Sequence, residues 1–214
     1  MDAGLLPVKR LSDAKRRLGA EFGDVQRVQI ARALLDDALD LCRCTGRLRW
    51  WVVTADDHVV AAARRHGLDV FNDETGDLNV AVAGAMHAVL VAGAASATVL
   101  PCDLPLALPE DVEDVLDTGA TSDMVVVPSR RDGGTNALYM SPPGVGPPRF
   151  GTGSLSAHVA LAERARLRCS ILPLPRLALD IDTVEDVDEL LGVDGAQRSR
   201  AARMLRRLRS PAPT

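Results

Sequence analysis

Aromatic residues make up only 3% of this 214-residue chain, so Leu, Val and Ala must fill its interior. Four cysteines are present, Cys42, Cys44, Cys102 and Cys169, and none belongs to a C-x-x-C pair. A zinc site of that kind is not expected, and a chain this long needs no disulfides to hold a core. Reduced thiols fit a cytoplasmic protein. The first residues lack the basic-then-apolar layout of a signal peptide, and no run approaches the ~20 apolar residues of a membrane span. Nor is there a basic excess, since the formal net charge of -4 gives no overall field for nucleic acid. No G-x-x-x-x-G-K-[ST] or G-x-G-x-x-G follows the first strand-like segment, which disfavours P-loop and dinucleotide folds. Ser154 has no histidine and acid in a nucleophile-elbow context, so a serine hydrolase is rejected.

What remains is a regular alternation of two kinds of segment. "GLLPV" (4–8), "LRWWVVT" (48–54), "DVF" (69–71), "ATVLP" (97–101), "MVVVPS" (124–129), "TNALYM" (135–140), "RCSILPL" (168–174) and "LALDID" (177–182) read as strands. Helices are predicted from about Ser12, over 56–66 up to Gly67, over 78–93, near 109–117, from Ser154 to about Arg164, and from near Thr183. The longest starts at Asp24 and repeats Val25, Val28, Ala31, Leu35, Ala38 and Cys42 at three- and four-residue intervals. This order predicts an α/β sandwich around a mostly parallel sheet, over residues 1–193. Residues 194–214 end in "RSRAARMLRRLRSPAPT", whose six arginines are expected to form a solvated, frayed tail with no assigned role.

Several segments carry chemistry. In "TVLPCDLPLALPED" a buried strand ends in Asp103 between Pro101 and Pro105, which stop sheet pairing and stiffen the loop. A stiff acidic strand exit suits a divalent cation; a turn or cap role explains the same residue. In "LALDID" strand alternation puts Asp180 and Asp182 on one face, where they repel unless a cation such as Mg²⁺ lies beside them. Capping by Thr183 and its acidic neighbours is the competing account. "PVKRLSDAKRRL" supplies Lys9, Lys15 and Arg17 after the first strand, suited either to a polyphosphate or to a solvated face. In "RRDGGTNALYM" glycines precede Thr135, and in "RFGTGSLSAH" Ser154 reads as an N-cap whose helix could hold an anion that Gly151 and Gly153 let come close. Asn79 either caps a helix or touches a nucleobase or sugar. His158 reads as a packed or surface histidine.

In order, "PVKRLSDAKRRL", "LPCDLPLA", "GGTNALYM", "RFGTGSLSAH" and "LDIDTVEDV" resemble the phospholactate/phosphoenolpyruvate guanylyltransferase family over about residues 4–190. The resemblance implies a GT-A-like three-layer α/β sandwich with a mixed, mostly parallel sheet. It implies GMP transfer from GTP to phosphoenolpyruvate or 2-phospho-L-lactate, with release of pyrophosphate, in coenzyme F-420 biosynthesis. By position, Lys9, Lys15 and Arg17 would hold the triphosphate, and Asp103 and Asp180 would bind Mg²⁺ with Asp182 in or near the same shell. Lys15, Asp103 and Asp180 would then carry catalysis, while Thr135, Gly151 and Ser154 fall where the family contacts the acid. "AKRRL" stands where "AKTRL" is usual, and "FGTGSL" where "FGPGSF" is common, which leaves the acceptor open. A molybdopterin-cofactor or sugar-phosphate nucleotidyltransferase is the alternative, as is a non-catalytic nucleotide-binding protein of the same fold. The implied partners are GTP and the phosphorylated acid, not nucleic acid or membrane. A homodimer and a downstream transferase using the unstable product remain open.

Overall fold

The computed structural model describes residues 1–210. Seven strands form one sheet: β1 (Asp2–Pro7), β2 (Leu48–Thr54), β3 (Asp69–Asn72), β4 (Ser96–Val99), β5 (Met124–Pro128), β6 (Thr135–Met140) and β7 (Cys169–Ile171), in the order β3-β2-β1-β4-β6-β5-β7. β6 runs antiparallel to β4 and β5, and the other neighbours pair in parallel. Because β6 is reversed, its first residues lie at the edge of the sheet where the other strands end. That is the edge where α/β folds bind ligands.

Helices cover both faces. α1 (Asp24–Cys44), α2 (Asp57–Arg65) and α4 (Pro109–Gly119) pack on one side, and α3 (Leu78–Val91) and α5 (Ser154–Ala165) on the other. Strand alternation feeds both layers: Leu6, Val125, Val127 and Tyr139 point to the first, and Leu5, Met124, Val126 and Leu138 to the second. With both faces buried, the strands read as continuous apolar runs. One close approach fixes β1 against β2. Gly4 pairs with Trp50, and a Cβ at position 4 would lie 2.3 Å from the indole, so no larger residue fits there.

A third apolar cluster binds the chain ends together. Leu18 and Phe22 meet Ile30 and Leu34 of α1, Leu179 and Ile181, and residues of α7 (Val184–Gly192) and α8 (Arg200–Arg209). The sequence expectations need three corrections here. Residues 177–182 do not form a strand: Pro175 starts a short helical turn, α6 (Pro175–Ala178), and the chain then runs extended beside Asp103, bonded to it by Ile181 N–H to Asp103 O at 3.1 Å. The helix expected from Ser12 is two 3₁₀ turns, Leu11–Asp13 and Arg16–Ala20, broken by Lys15 in the left-handed region. Nor is the arginine-rich stretch frayed over α8. Asp37 of α1 accepts from the Arg200 and Ala201 N–H groups at 2.9 and 3.0 Å, and Arg209 pairs with Glu21 and Asp188. Leu205 is fully buried. The last four residues of that stretch lie outside the described residues. Among the described residues no helix is long and apolar enough to cross a membrane.

Leu205→Ala should therefore lower unfolding free energy by about 2–4 kcal/mol in urea titrations. A solvated tail would tolerate the change within about 0.5 kcal/mol.

Candidate active site

A cavity of about 450 Å³ opens at the strand ends. Lys9, Lys15 and Arg17 line it after β1, Asp103 after β4, Ser129 after β5, and Thr135 and Asn136 at the start of β6. Gly151, Asp180 and Asp182 complete that part of the wall, and Val8, Val53, Leu78 and Ala81 give an apolar part.

Lys15 sits at the centre. Its ammonium donates to Asp103 Oδ2 at 2.7 Å and to Asp182 Oδ1 at 3.2 Å, with its side chain only 8% exposed. Burial works to discharge it, but the fields of Asp103 and Asp182 and the Asp103 hydrogen bond outweigh burial and raise its pKa. Its backbone adopts φ 56 and ψ 36, a left-handed conformation that costs a non-glycine residue about 1–2 kcal/mol. The loop is fastened around it: Leu11 N–H donates to Asp56 Oδ2 at 2.9 Å, and Arg27 donates to Ala14 O at 3.1 Å. Buried Leu18 and Phe22 anchor its other end.

Asp103, Asp180 and Asp182 each place a carboxylate oxygen within 4.8 Å of the others. One buried ammonium among three carboxylates, with the exposed Arg17 guanidinium beside Asp182, leaves the cluster net negative, as suits a divalent cation. Hard oxygen donors of this kind suit a divalent cation such as Mg²⁺, Ca²⁺ or Mn²⁺. Extended backbone delivers the pair as alternation requires: Asp180 and Asp182 face the cavity and Ile181 is fully buried behind them. Asp180 Oδ1 accepts from Asn136 Nδ2 at 3.0 Å and Ser129 Oγ at 3.2 Å. Burial raises its pKa, the Asn136 bond opposes this, and Asp103 and Asp182 raise it further. Buried Asp186 accepts from the Asp182 and Thr183 N–H groups at 3.0 and 2.7 Å, which fixes the turn behind Asp182. Thr183 does cap α7. Arg17 is mostly exposed, with Nη1 3.8 Å from Asp182 Oδ2, and Lys9 is exposed on the same wall. Burial and the neighbouring Asp103 push the Cys102 thiol up to about 12, which disfavours the thiolate a nucleophile needs.

The two glycine-rich loops are one device. Gly153 N–H donates to Asp132 O at 2.9 Å and Leu155 N–H to Gly133 O at 3.0 Å. Gly133 and Gly153 both take positive φ, which allows that contact. Three expectations change. Gly153, not Ser154, is the N-cap of α5, and the Ser154 and Leu155 N–H groups already bond to carbonyls, which leaves little of that helix start for an anion. Ser154 is buried and absent from the cavity wall; its hydroxyl donates to Thr135 Oγ1 at 3.1 Å. Asn79 neither caps α3, which Asp77 does, nor lines the cavity. Its amide clamps the Phe150 backbone, donating to the carbonyl at 3.1 Å and accepting from the N–H at 2.7 Å. Thr135 and Gly151 do face the cavity.

Asn136, Ser129 and Asp186 carry the carboxylate framework without having been singled out as site residues. The signal for Asn136 was present, a lone amide in "TNALYM", where every residue is buried. Such a group needs partners, and it finds Leu177 O, Ala178 O and Asp180.

A family model described as "Guanylyl transferase CofC like" matches residues 3–211. A phosphoenolpyruvate guanylyltransferase of Chloroflexus aggregans is 35% identical over 185 residues, covering 84% of this chain and 92% of that one. A 3-phospho-D-glycerate guanylyltransferase of Phenylobacterium zucineum is 33% identical over 215 residues, covering 98% of each. Among solved structures, a Desulfovibrio desulfuricans protein assigned to the nucleotide-diphospho-sugar transferases superposes with a TM-score of 0.81 at 21% identity, covering 96% of this chain and 94% of that one. The chain is thus a nucleotidyltransferase, and it belongs to the CofC-like guanylyl transferase family.

Proposed function

We propose that this protein moves GMP from GTP onto the phosphate of a phosphorylated three-carbon acid, releasing pyrophosphate. The observation that carries the reading is the meeting of Asp103, Asp180 and Asp182 around Lys15, beside the cationic groups of Lys9 and Arg17. The acceptor oxygen forms a bond to the α-phosphorus while the bond from that phosphorus to the β-phosphate bridging oxygen breaks. Pyrophosphate leaves with the electron pair. No general base is required, because a phosphate monoester with a second pKa of about 6 is largely dianionic at neutral pH.

The task of the chain is to hold two polyanions together. Asp103 and Asp180 would hold Mg²⁺, with Asp182 beside them, and the ion when bound would offset charge on the phosphate oxygens. Lys9, Lys15 and Arg17 stabilise the departing pyrophosphate. Thr135 and Gly151 meet the acceptor, and Ser154 acts on it through Thr135. Phosphoenolpyruvate or 2-phospho-L-lactate is the acceptor we favour, and coenzyme F-420 assembly the setting; the named relatives also include a 3-phospho-D-glycerate enzyme. The product, a mixed phosphoanhydride, calls for a transferase that consumes it. All four cysteines are free, as suits a cytoplasmic enzyme.

Pyrophosphate release should require GTP, Mg²⁺ and one of these three acids, and should fall sharply with CTP, UTP or ATP. Release with a sugar phosphate instead would establish the sugar-nucleotide alternative. Asp103→Ala should cut kcat by about 100-fold or more, with circular dichroism unchanged. Full activity in a folded Asp103→Ala protein contradicts the reading. Asn136→Ala, which releases Asp180, should raise the Mg²⁺ concentration for half-maximal rate by about 10-fold or more.

A further inference from the structure

His158 is fully buried on α5, and every polar atom of its ring has a partner. Nε2 lies 3.0 Å from the backbone nitrogen of Arg149. That N–H can only donate, so Nε2 carries no proton. The neutral ring must then carry its proton on Nδ1, which lies 3.1 Å from Thr135 Oγ1. The Thr135 oxygen therefore accepts from His158. It also accepts from Ser154 Oγ at 3.1 Å; a buried Ser154 hydroxyl turned away from Thr135 would leave its proton without a partner.

A hydroxyl oxygen has two lone pairs and one proton. With both lone pairs occupied, Thr135 keeps only its proton to offer, and Thr135 lines the cavity. We propose that His158 is a positioning residue which, with Ser154, converts the Thr135 hydroxyl into an obligate donor aimed at an anionic oxygen of the acceptor. This deepens the guanylyl-transfer reading above and rests on it. A threonine free to rotate would accept from a substrate hydroxyl as readily as donate to a carboxylate or phosphate. One held by two donors rejects the first and takes the second. Burial, then Arg149, lower the His158 pKa to about 4, so the ring stays neutral through the working pH range. The ring also holds the loop in place: it meets Phe150 edge-on at 5.6 Å, beside the Asn79 clamp on the Phe150 backbone. Arg149 is the charged group facing the ring, while Thr135, Ser154 and Phe150 do not titrate.

The test uses two variants that separate the ring's nitrogens. Asn presents its amide close to where Nδ1 lies, and Gln close to where Nε2 lies. His158→Gln should raise the acceptor KM by about 10- to 100-fold with the GTP KM unchanged. His158→Asn should restore the acceptor KM to within about 3-fold of the parent. Thr135→Val should lose as much as His158→Gln, and the double variant no more than either. Equal acceptor KM values for Asn and Gln, or a parallel rise in GTP KM, would overturn the proposal. Nitrogen-15 spectra of the unmodified protein should show a neutral Nδ1–H ring at about pH 5.5, where an ordinary imidazole is mostly charged; an Nε2–H ring or an imidazolium would also overturn it. Because the folded pKa lies below the unfolded value of ~6.5, the stability this ring contributes is full above that pH and falls as pH drops toward 4. The difference in stability between the parent and His158→Asn should follow that window. Absence of GMP transfer by the parent protein would defeat the underlying reading instead, and the ring spectra would still decide the state of His158.

Discussion

Three carboxylates held within a few ångströms of one another are a liability that folding must offset. Asp103 and the Asp180–Asp182 pair come from two loops far apart in sequence, and the buried positive charge placed among them is the Lys15 ammonium, with Arg17 on the exposed side of Asp182. The compensation is partial by design of the residues present. Lys15 offsets part of that repulsion, and the negative charge left over suits the divalent cation proposed above. The same ammonium is a structural counter-ion and, in the reading proposed above, would also meet the triphosphate.

Everything beneath that cluster keeps the two loops from drifting apart. The sheet supplies fixed strand ends, and reversal of β6 brings Thr135 and Asn136 to the same edge. Asn136 then joins strand to loop, bonding the carbonyls of Leu177 and Ala178 as well as Asp180. On the opposite side, Leu18 and Phe22 from the Lys15 loop share an apolar cluster with Leu179 and Ile181, which bracket Asp180. α8 closes that cluster through Ala201, Ala202 and Leu205. An arginine-rich segment thus supports the active centre from behind, its apolar stripe inward and two of its arginines, Arg200 and Arg209, on acidic partners at the surface.

Much of this was legible in the sequence, because the signals were local. Apolar runs and three- and four-residue spacing marked the strands and the long helices, and proline on both sides of Asp103 marked the strand exit. Alternation correctly placed Asp180 and Asp182 on one face even though no ladder forms there, since extended backbone alternates with or without a partner strand. What stayed hidden depends on tertiary contact. The burial of Leu205 cannot be seen in a stretch where arginines are as numerous as apolar residues. Gly153 taking the cap from Ser154 follows from its contact with the Asp132 loop. Asn79 looked like a cap or a base contact because its real partner, the Phe150 backbone, lies 71 residues away. His158 was unreadable for the same reason, since its role comes from which neighbour each nitrogen meets.

In the proposed reaction these acidic groups form one cation site facing the triphosphate. Titration with Mn²⁺ with and without GTP, each corrected against GTP alone and followed by electron paramagnetic resonance of the free ion, measures this. A single bound ion per chain is expected, lost or strongly weakened in Asp180→Asn and in Asp103→Asn while the protein remains folded. Binding that persists at parental strength in both variants would contradict it.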